Sequence, residues 1–278
     1  MAEPTIRAMS RADLDRAIDW AAAEGWNPGL ADAEAFLAQD PAGFLMARLG
    51  DEPVSCVSVV CYPGSFAFLG FYICRPEFRG RGLGYAVWQA GMAHALGCNI
   101  GLDGVVAQQD AYRRSGFRLA HRNVRHAGSL PGARRHESVL PLDRIPMDRL
   151  AAYDRRHFPA SREEFLAAWV RPPRRGFAVL RDGEVAGYGV ARDCRSGSKI
   201  GPLFAEDPGM ARLLFETLAA SSPPEPLFLD LPEPNAEARA LAESYGMTPV
   251  FETARMYTGV DPGLPLGKIY GITTFELG

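Results

Sequence analysis

The sequence predicts a mixed α/β protein in which one kind of domain occurs twice in tandem. Three observations carry this. Short runs rich in Val, Ile, Phe and Tyr alternate with segments whose apolar residues recur at helical spacing. The order of these elements in the first half returns in the second. A length of 278 residues suits two domains of roughly 100–200 residues each.

The elements follow in chain order. Residues 5–9 read as a short strand. Ser10, with Asp13 three residues on, is a helix-capping pattern, and the helix it opens runs to about Glu24 with Leu14, Ala17, Ile18 and Ala21 on one face. Residues 32–39 form a second helix, 44–49 a strand and 50–53 a turn. Strands at 54–61 and 66–74 are joined through Pro63-Gly64. A glycine-rich turn then leads into a helix on which Leu83, Val87, Trp88, Met92, Ala95 and Leu96 share a face. A strand at 100–106, a helix at 108–115 and a strand at 117–126 complete the first half. Residues 128–133, with two glycines and a proline, make the best linker, which sets the domains at 1–130 and 136–278.

The second half reads as a strand at 138–142, helices at 147–155 and 162–170, and strands at 176–181 and 184–193 around the hairpin signal Asp182-Gly183. A strand at 199–205 precedes a helix opened by Asp207-Pro208 and running to Ala220. A strand at 227–231, a helix at 235–245 and a strand at 250–258 follow. The tail, residues 268–275, is apolar and β-rich, and is expected to add an edge strand or to pack on the other domain.

Charge and composition exclude several classes of function. The 30 basic and 33 acidic residues give a net charge of −3, which argues against a protein that neutralises nucleic-acid phosphates. A hydrophobic share of 47% is enough for a sizeable core, yet no apolar run is long enough to span a bilayer. The N-terminal residues lack the basic-then-apolar pattern of a leader, and the five cysteines are odd in number and without metal-binding spacing. The expectation is a cytoplasmic chain with reduced thiols and no metal, acting as a monomer or homodimer without nucleic-acid or membrane partners. Within residues 75–125, however, eight arginines face only Glu77, Asp103 and Asp110, a local excess that suits a small anionic ligand.

That segment contains the strongest chemical signal, Arg79-Gly80-Arg81-Gly82-Leu83-Gly84, between a strand and an amphipathic helix. Glycines at alternate positions let successive backbone N–H groups line a concavity, and the helix adds its unpaired N–H groups and the positive end of its dipole. The result is a cradle for a phosphate or pyrophosphate, with Arg79 and Arg81 beside it. The spacing is G-x-G-x-G, not the G-x-G-x-x-G of dinucleotide binders, and no Gly-Lys pair makes a P-loop.

The block Arg79-x-x-Gly82-x-Gly84, with Pro76 before it and a helix after it, resembles the acyl-CoA pyrophosphate motif of the GNAT superfamily of N-acetyltransferases. Ala111-Tyr112-Arg113-Arg114-Ser115-Gly116-Phe117 is similar to that family's second block, with a tighter Ala-to-Tyr spacing. The second half has no R-G-x-G loop, but its Asn235-to-Met247 segment is similar to the second block. The resemblance implies two tandem GNAT-like domains, each a mostly antiparallel sheet flanked by helices, with an intact acyl-CoA site in the first and a degenerate copy in the second. It implies an N-acyltransferase that moves an acetyl group from acetyl-CoA to an amine of a small molecule or peptide. A longer acyl donor, a hydroxyl acceptor and a non-catalytic acyl-CoA sensor are the alternatives.

By the same resemblance, the backbone of Tyr72, Ile73 and Cys74 pairs with pantetheine and Arg79 through Tyr85 hold the pyrophosphate. Tyr112 protonates the departing thiolate, a plausible exchange between a phenol of pKa ~10 and a thiol of pKa ~8.5. Family relatives often carry a basic glutamate on the strand before the loop, but residues 66–72 contain no carboxylate. His94, His121 and His126 are weak candidates for the base. Asp230, Glu233 and Glu252 are candidates for binding the acceptor amine, although Glu233 or Asn235 equally suits a helix cap. Cys74, in an apolar run, is a poor nucleophile.

Overall fold

The computed structural model describes residues 3–223 and 226–278. The first half contains strands β1 (Thr5–Ala8), β2 (Phe44–Leu49), β3 (Glu52–Tyr62), β4 (Phe66–Cys74), β5 (Asn99–Val105) and β6 (Arg118–Gly128). Its helices are α1 (Arg11–Ala23), α2 (Asp32–Gln39), α3 (Leu83–His94) and α4 (Gln109–Arg114). The second half supplies β7 (Val139–Pro141), β8 (Arg175–Arg181), β9 (Glu184–Asp193), β10 (Ser198–Ala205), β11 (Leu227–Pro232), β12 (Thr248–Tyr257) and β13 (Ile269–Gly271). Its helices are α5 (Met147–Asp154), α6 (Glu163–Trp169), α7 (Pro208–Ala220) and α8 (Ala236–Ser244). Most limits lie within a few residues of those expected, because caps and turns are local. Ser10 and Asp13 make the reciprocal capping box that opens α1.

Among the described residues, thirteen strands join one mixed sheet in the order β1-β2-β3-β4-β5-β12-β6-β11-β10-β9-β8-β7, with β13 on β10. Pairing is antiparallel except for β4 with β5 and β10 with β11. These two parallel pairs occupy equivalent places in the two halves. The order exposes an exchange: β12 from the second half pairs with β5, and β6 from the first half pairs with β11. Each half is therefore completed by a strand of the other, and β6 and β12 lie side by side. The units 1–130 and 136–278 describe the proposed duplication in sequence; the sheet crosses between them.

Buried ion pairs bolt the exchanged strands. Arg255 on β12 donates to Asp103 on β5 at 2.9 and 2.8 Å, and Arg125 on β6 donates to Asp230 on β11 at 2.6 and 2.8 Å. Each pair joins directly opposed cross-strand residues. On one face, α3 packs Leu83, Val87 and Trp88 against Val57, Val59, Leu69 and Leu102. On the other, α1, α2, α5 and α6 share a core containing Phe36, Phe71, Trp169 and Tyr188 that runs across both halves. Residues 269–278 are buried, and the tail runs through the interior instead of along a sheet edge.

Candidate active site

The parallel pair β4–β5 comes apart part-way along. Phe66–Leu69 pair with Asn99–Leu102, but the strands diverge beyond them. A bulge helps: Phe71 has φ +45°, and the register between β3 and β4 shifts between Cys56 and Ser58. The gap opens a groove of ≈470 Å³ between Tyr72, Ile73 and Cys74 on one side and Val105, Ala107 and Gln108 on the other. At its inner end a narrower cavity of ≈40 Å³ shares Trp26, Tyr72, Val105 and Tyr112 with the groove.

The glycine loop stands at the outer end. Gly80 and Gly82 have φ of +74° and +79°, a conformation that strains any residue with a Cβ. Gly82 is the N-cap of α3 and makes no side-chain cap, so the first N–H groups of the helix are left to a ligand. Leu83 anchors the helix start in the core. A Cβ on Gly84 would lie 3.3 Å from the Tyr72 hydroxyl and 3.4 Å from Cys74 Cβ, so α3 presses closely on the end of β4. Arg79 lines the groove, yet its guanidinium already donates to the Cys74 carbonyl at 2.9 Å and to Glu24 at 2.6 Å, bracing the loop on β4. Arg81 lies 5.2 Å over the Phe78 ring, and Tyr85 is exposed.

Tyr112 lies where groove and cavity meet. Its ring stacks on Trp88 at 5.7 Å and meets Phe117 edge-on at 6.3 Å. Gly104 makes room for it: a Cβ there would fall 2.7 Å from the ring. Burial, with the neighbouring Tyr72, raises the phenol's pKa, so Tyr112 keeps its proton at neutral pH. Burial also raises the Cys74 thiol, which disfavours the thiolate a covalent acyl-enzyme would need.

The other candidates lie apart from the cavities. His94 Nε2 is 2.8 Å from Asp40, whose carboxylate also accepts the N–H groups of Gly43 and Cys61. Burial, followed by the Arg255 charge, pulls His121 down to about 4, so it is neutral at physiological pH. His126 is buried, with Nδ1 3.4 Å from the Val124 carbonyl. Asp230 is held by Arg125 on the exchanged strand. Glu233 receives a two-point bond from Arg122, and Glu252 lies 4.0 Å from the same arginine. Asn235 caps α8, accepting the Ala238 N–H at 3.1 Å. Sequence reasoning passed over Trp26, Thr253 and Glu276, which do line the inner cavity. The only local signal was that Glu276 is a lone acid in an apolar tail, and nothing local shows where that tail runs.

The equivalent gap in the second half is filled. Strands β10 and β11 pair at Ser198–Ile200 with Leu227–Leu229 and then part, as β4 and β5 do. Here β13 enters, pairing with Leu203 and Phe204, and the Ile272 N–H donates to the Asp230 carbonyl at 2.8 Å. The Asp207 carboxylate accepts the Met210 N–H at 2.9 Å, so a built-in anion already caps α7. Isothermal titration with acetyl-CoA is accordingly expected to give one site per chain; two equal sites would show that the tail is displaced.

Known proteins resemble this chain in sequence and in fold. Residues 11–117 match the model of the acetyltransferase (GNAT) family, and residues 150–271 match that of an acetyltransferase (GNAT) domain. Holothin acyltransferase of Pseudoalteromonas sp. (strain SANK 73390) is 30% identical over 264 residues, covering 94% of this chain and 90% of that protein. A crystal structure from Pyrococcus horikoshii, proposed to be an acetyltransferase, superposes with a TM-score of 0.86 at 24% identity, covering 100% and 97% of the two chains. A tandem GNAT protein from the clavulanic acid biosynthesis pathway superposes with a TM-score of 0.62 at 15% identity, covering 93% and 100%. Both structures share the fold. With two matched domains and a full-length acyltransferase relative, the chain belongs to the GNAT family of acyltransferases, as a tandem member.

Proposed function

We propose that the protein transfers an acetyl group from acetyl-CoA directly to an amine of a small molecule or peptide, within one ternary complex. The observation that carries this reading is the alignment of an uncapped helix N-terminus, a parted strand pair and the buried Tyr112 along one groove. In this reading the pyrophosphate rests on the N–H groups of Gly80 to Tyr85, with Arg79 and Arg81 adding positive charge. Pantetheine lies in the gap against Tyr72, Ile73 and Cys74, whose backbone has lost its β5 partner there. A backbone N–H near Cys74 polarises the thioester carbonyl; one such donor is typically worth about 3 kcal/mol in the transition state. The amine nitrogen attacks the carbonyl carbon and gives up a proton to a base or to water, the C–S bond breaks, and the sulfur takes its proton from Tyr112.

A small acceptor is in keeping with the narrow inner cavity and with the relative that carries the name holothin acyltransferase. The five cysteines are free thiols, which suits a reducing compartment such as the cytoplasm. No helix among the described residues is long and apolar enough to cross a membrane.

Acetyl-CoA is expected to raise the melting temperature by mass action, and Gly82→Trp, which fills the cradle, should abolish the shift. A full shift in that variant would remove the loop from donor binding. A screen of amines for coenzyme A release then tests transfer; a donor-binding protein that releases coenzyme A with none of them would be a sensor.

A further inference from the structure

The inner cavity contains an unexplained carboxylate. Glu276 is 2% exposed, lines the cavity, and has no hydrogen-bond partner for either carboxylate oxygen. Thr253, on the exchanged strand β12, lines the same cavity at 2% exposure, and its hydroxyl is also unpaired. Buried polar groups left without partners are costly, so two of them on one cavity mark a place built for a hydrogen-bonding ligand.

The chain holds Glu276 there deliberately. Thr274 Oγ1 accepts the N–H groups of Glu276 and Leu277 at 3.2 and 2.9 Å, forming a turn. A Cβ on Gly70 would lie 2.2 Å from the Glu276 carbonyl oxygen, so the tail rests directly on β4 beside the bulge at Phe71. The charges of Lys199 on β10, Arg192 on β9, Arg125 on β6 and Asp32 on α2 act on the carboxylate. Each nearby cation has a partner of its own. Arg125 is bonded to Asp230, Arg192 to Asp32 at 3.2 Å, and Lys199 donates to the Trp26 carbonyl at 3.0 Å. The other acid on the cavity, Asp103, is held by Arg255 and Asn123. Of the two acids that line the cavity, Glu276 is the one whose carboxylate oxygens are both without a partner.

We infer that Glu276 receives the acceptor as a primary amine and takes the proton its nitrogen releases, with Thr253 as a second hydrogen-bonding partner. This rests on the acyl-transfer reading above and names its acceptor end. The space is about that of three water-sized probes, so it admits the amino end of a thin molecule, and its walls are the aromatic rings of Trp26, Phe251 and Phe275. In the step, a C–N bond forms as the C–S bond breaks. The nitrogen proton passes to Glu276, the Tyr112 proton passes to sulfur, and exchange with solvent restores both groups. Burial raises the pKa of Glu276 while Lys199 and Arg192 oppose it, leaving a carboxylate more basic than usual.

Benzylamine and benzyl alcohol are suitable probes, titrated onto the coenzyme A complex and followed by the fluorescence of Trp26 and its neighbours. Benzylamine is expected to bind the wild-type protein, and Glu276→Gln is expected to weaken it tenfold or more while benzyl alcohol is little affected. An undiminished acetyl-CoA melting shift in the variant shows that it is folded. Equal benzylamine affinity in both proteins, or none in the wild type, overturns the assignment. Binding of benzylamine without coenzyme A release from acetyl-CoA would instead count against acyl transfer and leave the amine site standing.

Discussion

Tyr112→Phe is expected to lower turnover on the order of 10²–10⁴-fold, the usual contribution of a positioned general acid, while leaving acetyl-CoA binding intact. The separation follows from the packing. The Tyr112 ring is held by Trp88, Phe117 and the open face of Gly104, contacts a phenylalanine keeps, so the substitution removes the hydroxyl and little else. With no phenol, the thiolate must leave unprotonated or find water in a groove end walled by aromatic rings. Steady-state release of coenzyme A, measured beside the acetyl-CoA melting shift, checks both halves. An unchanged rate would take Tyr112 out of the chemistry.

The largest effect on stability is expected at Asp154. Its carboxylate accepts from Arg162 at 2.8 and 2.7 Å and from the Tyr188 hydroxyl, and both charged side chains are almost completely buried. Arg162 in turn lies 4.1 Å over the Phe158 ring and reaches the Gly278 carbonyl at 3.4 Å, so the pair helps to seat the tail that carries Glu276. Asp154→Ala leaves a buried guanidinium without its counter-charge, a loss of about 3–5 kcal/mol. For a chain of this size the melting temperature should fall by roughly 10 °C. Replacing both partners, as Asp154→Leu with Arg162→Met, should recover much of the loss, because no charge is then buried alone. Thermal unfolding of the two variants separates this from simple loss of packing: a double variant no better than the single would mean that shape, and not charge, dominates there.

The parts of the protein legible from its residues are those set by near neighbours. The Ser10–Asp13 box, the Asp207 and Asn235 caps and the Asp182-Gly183 turn each depend on atoms a few residues apart, and each appears where it was expected. The glycine cradle belongs with them. Positive φ at Gly80 and Gly82 and an uncapped helix start are properties of a short segment, so the conformation of the loop follows from its own residues. Alternating strands and helices likewise establish a mixed α/β chain with a repeated order.

Choice of strand partner is different in kind. Strands β6 and β12 have ordinary β patterns that either half could use, and their exchange is stabilised by Asp103–Arg255 and Arg125–Asp230, pairs 152 and 105 residues apart in sequence. That is why Asp230, which looked like an acid available to a substrate, is a stitch between the halves. The tail is the extreme case. Its apolar residues announce burial but not a route, and only the assembled sheet offers the vacant gap beside β10 and the glycine floor at Gly70 that it occupies. Packing over such distances fills the gap between β10 and β11 and brings Glu276 and Tyr112 to one cavity, because it depends on which surfaces remain uncovered once every local element has formed.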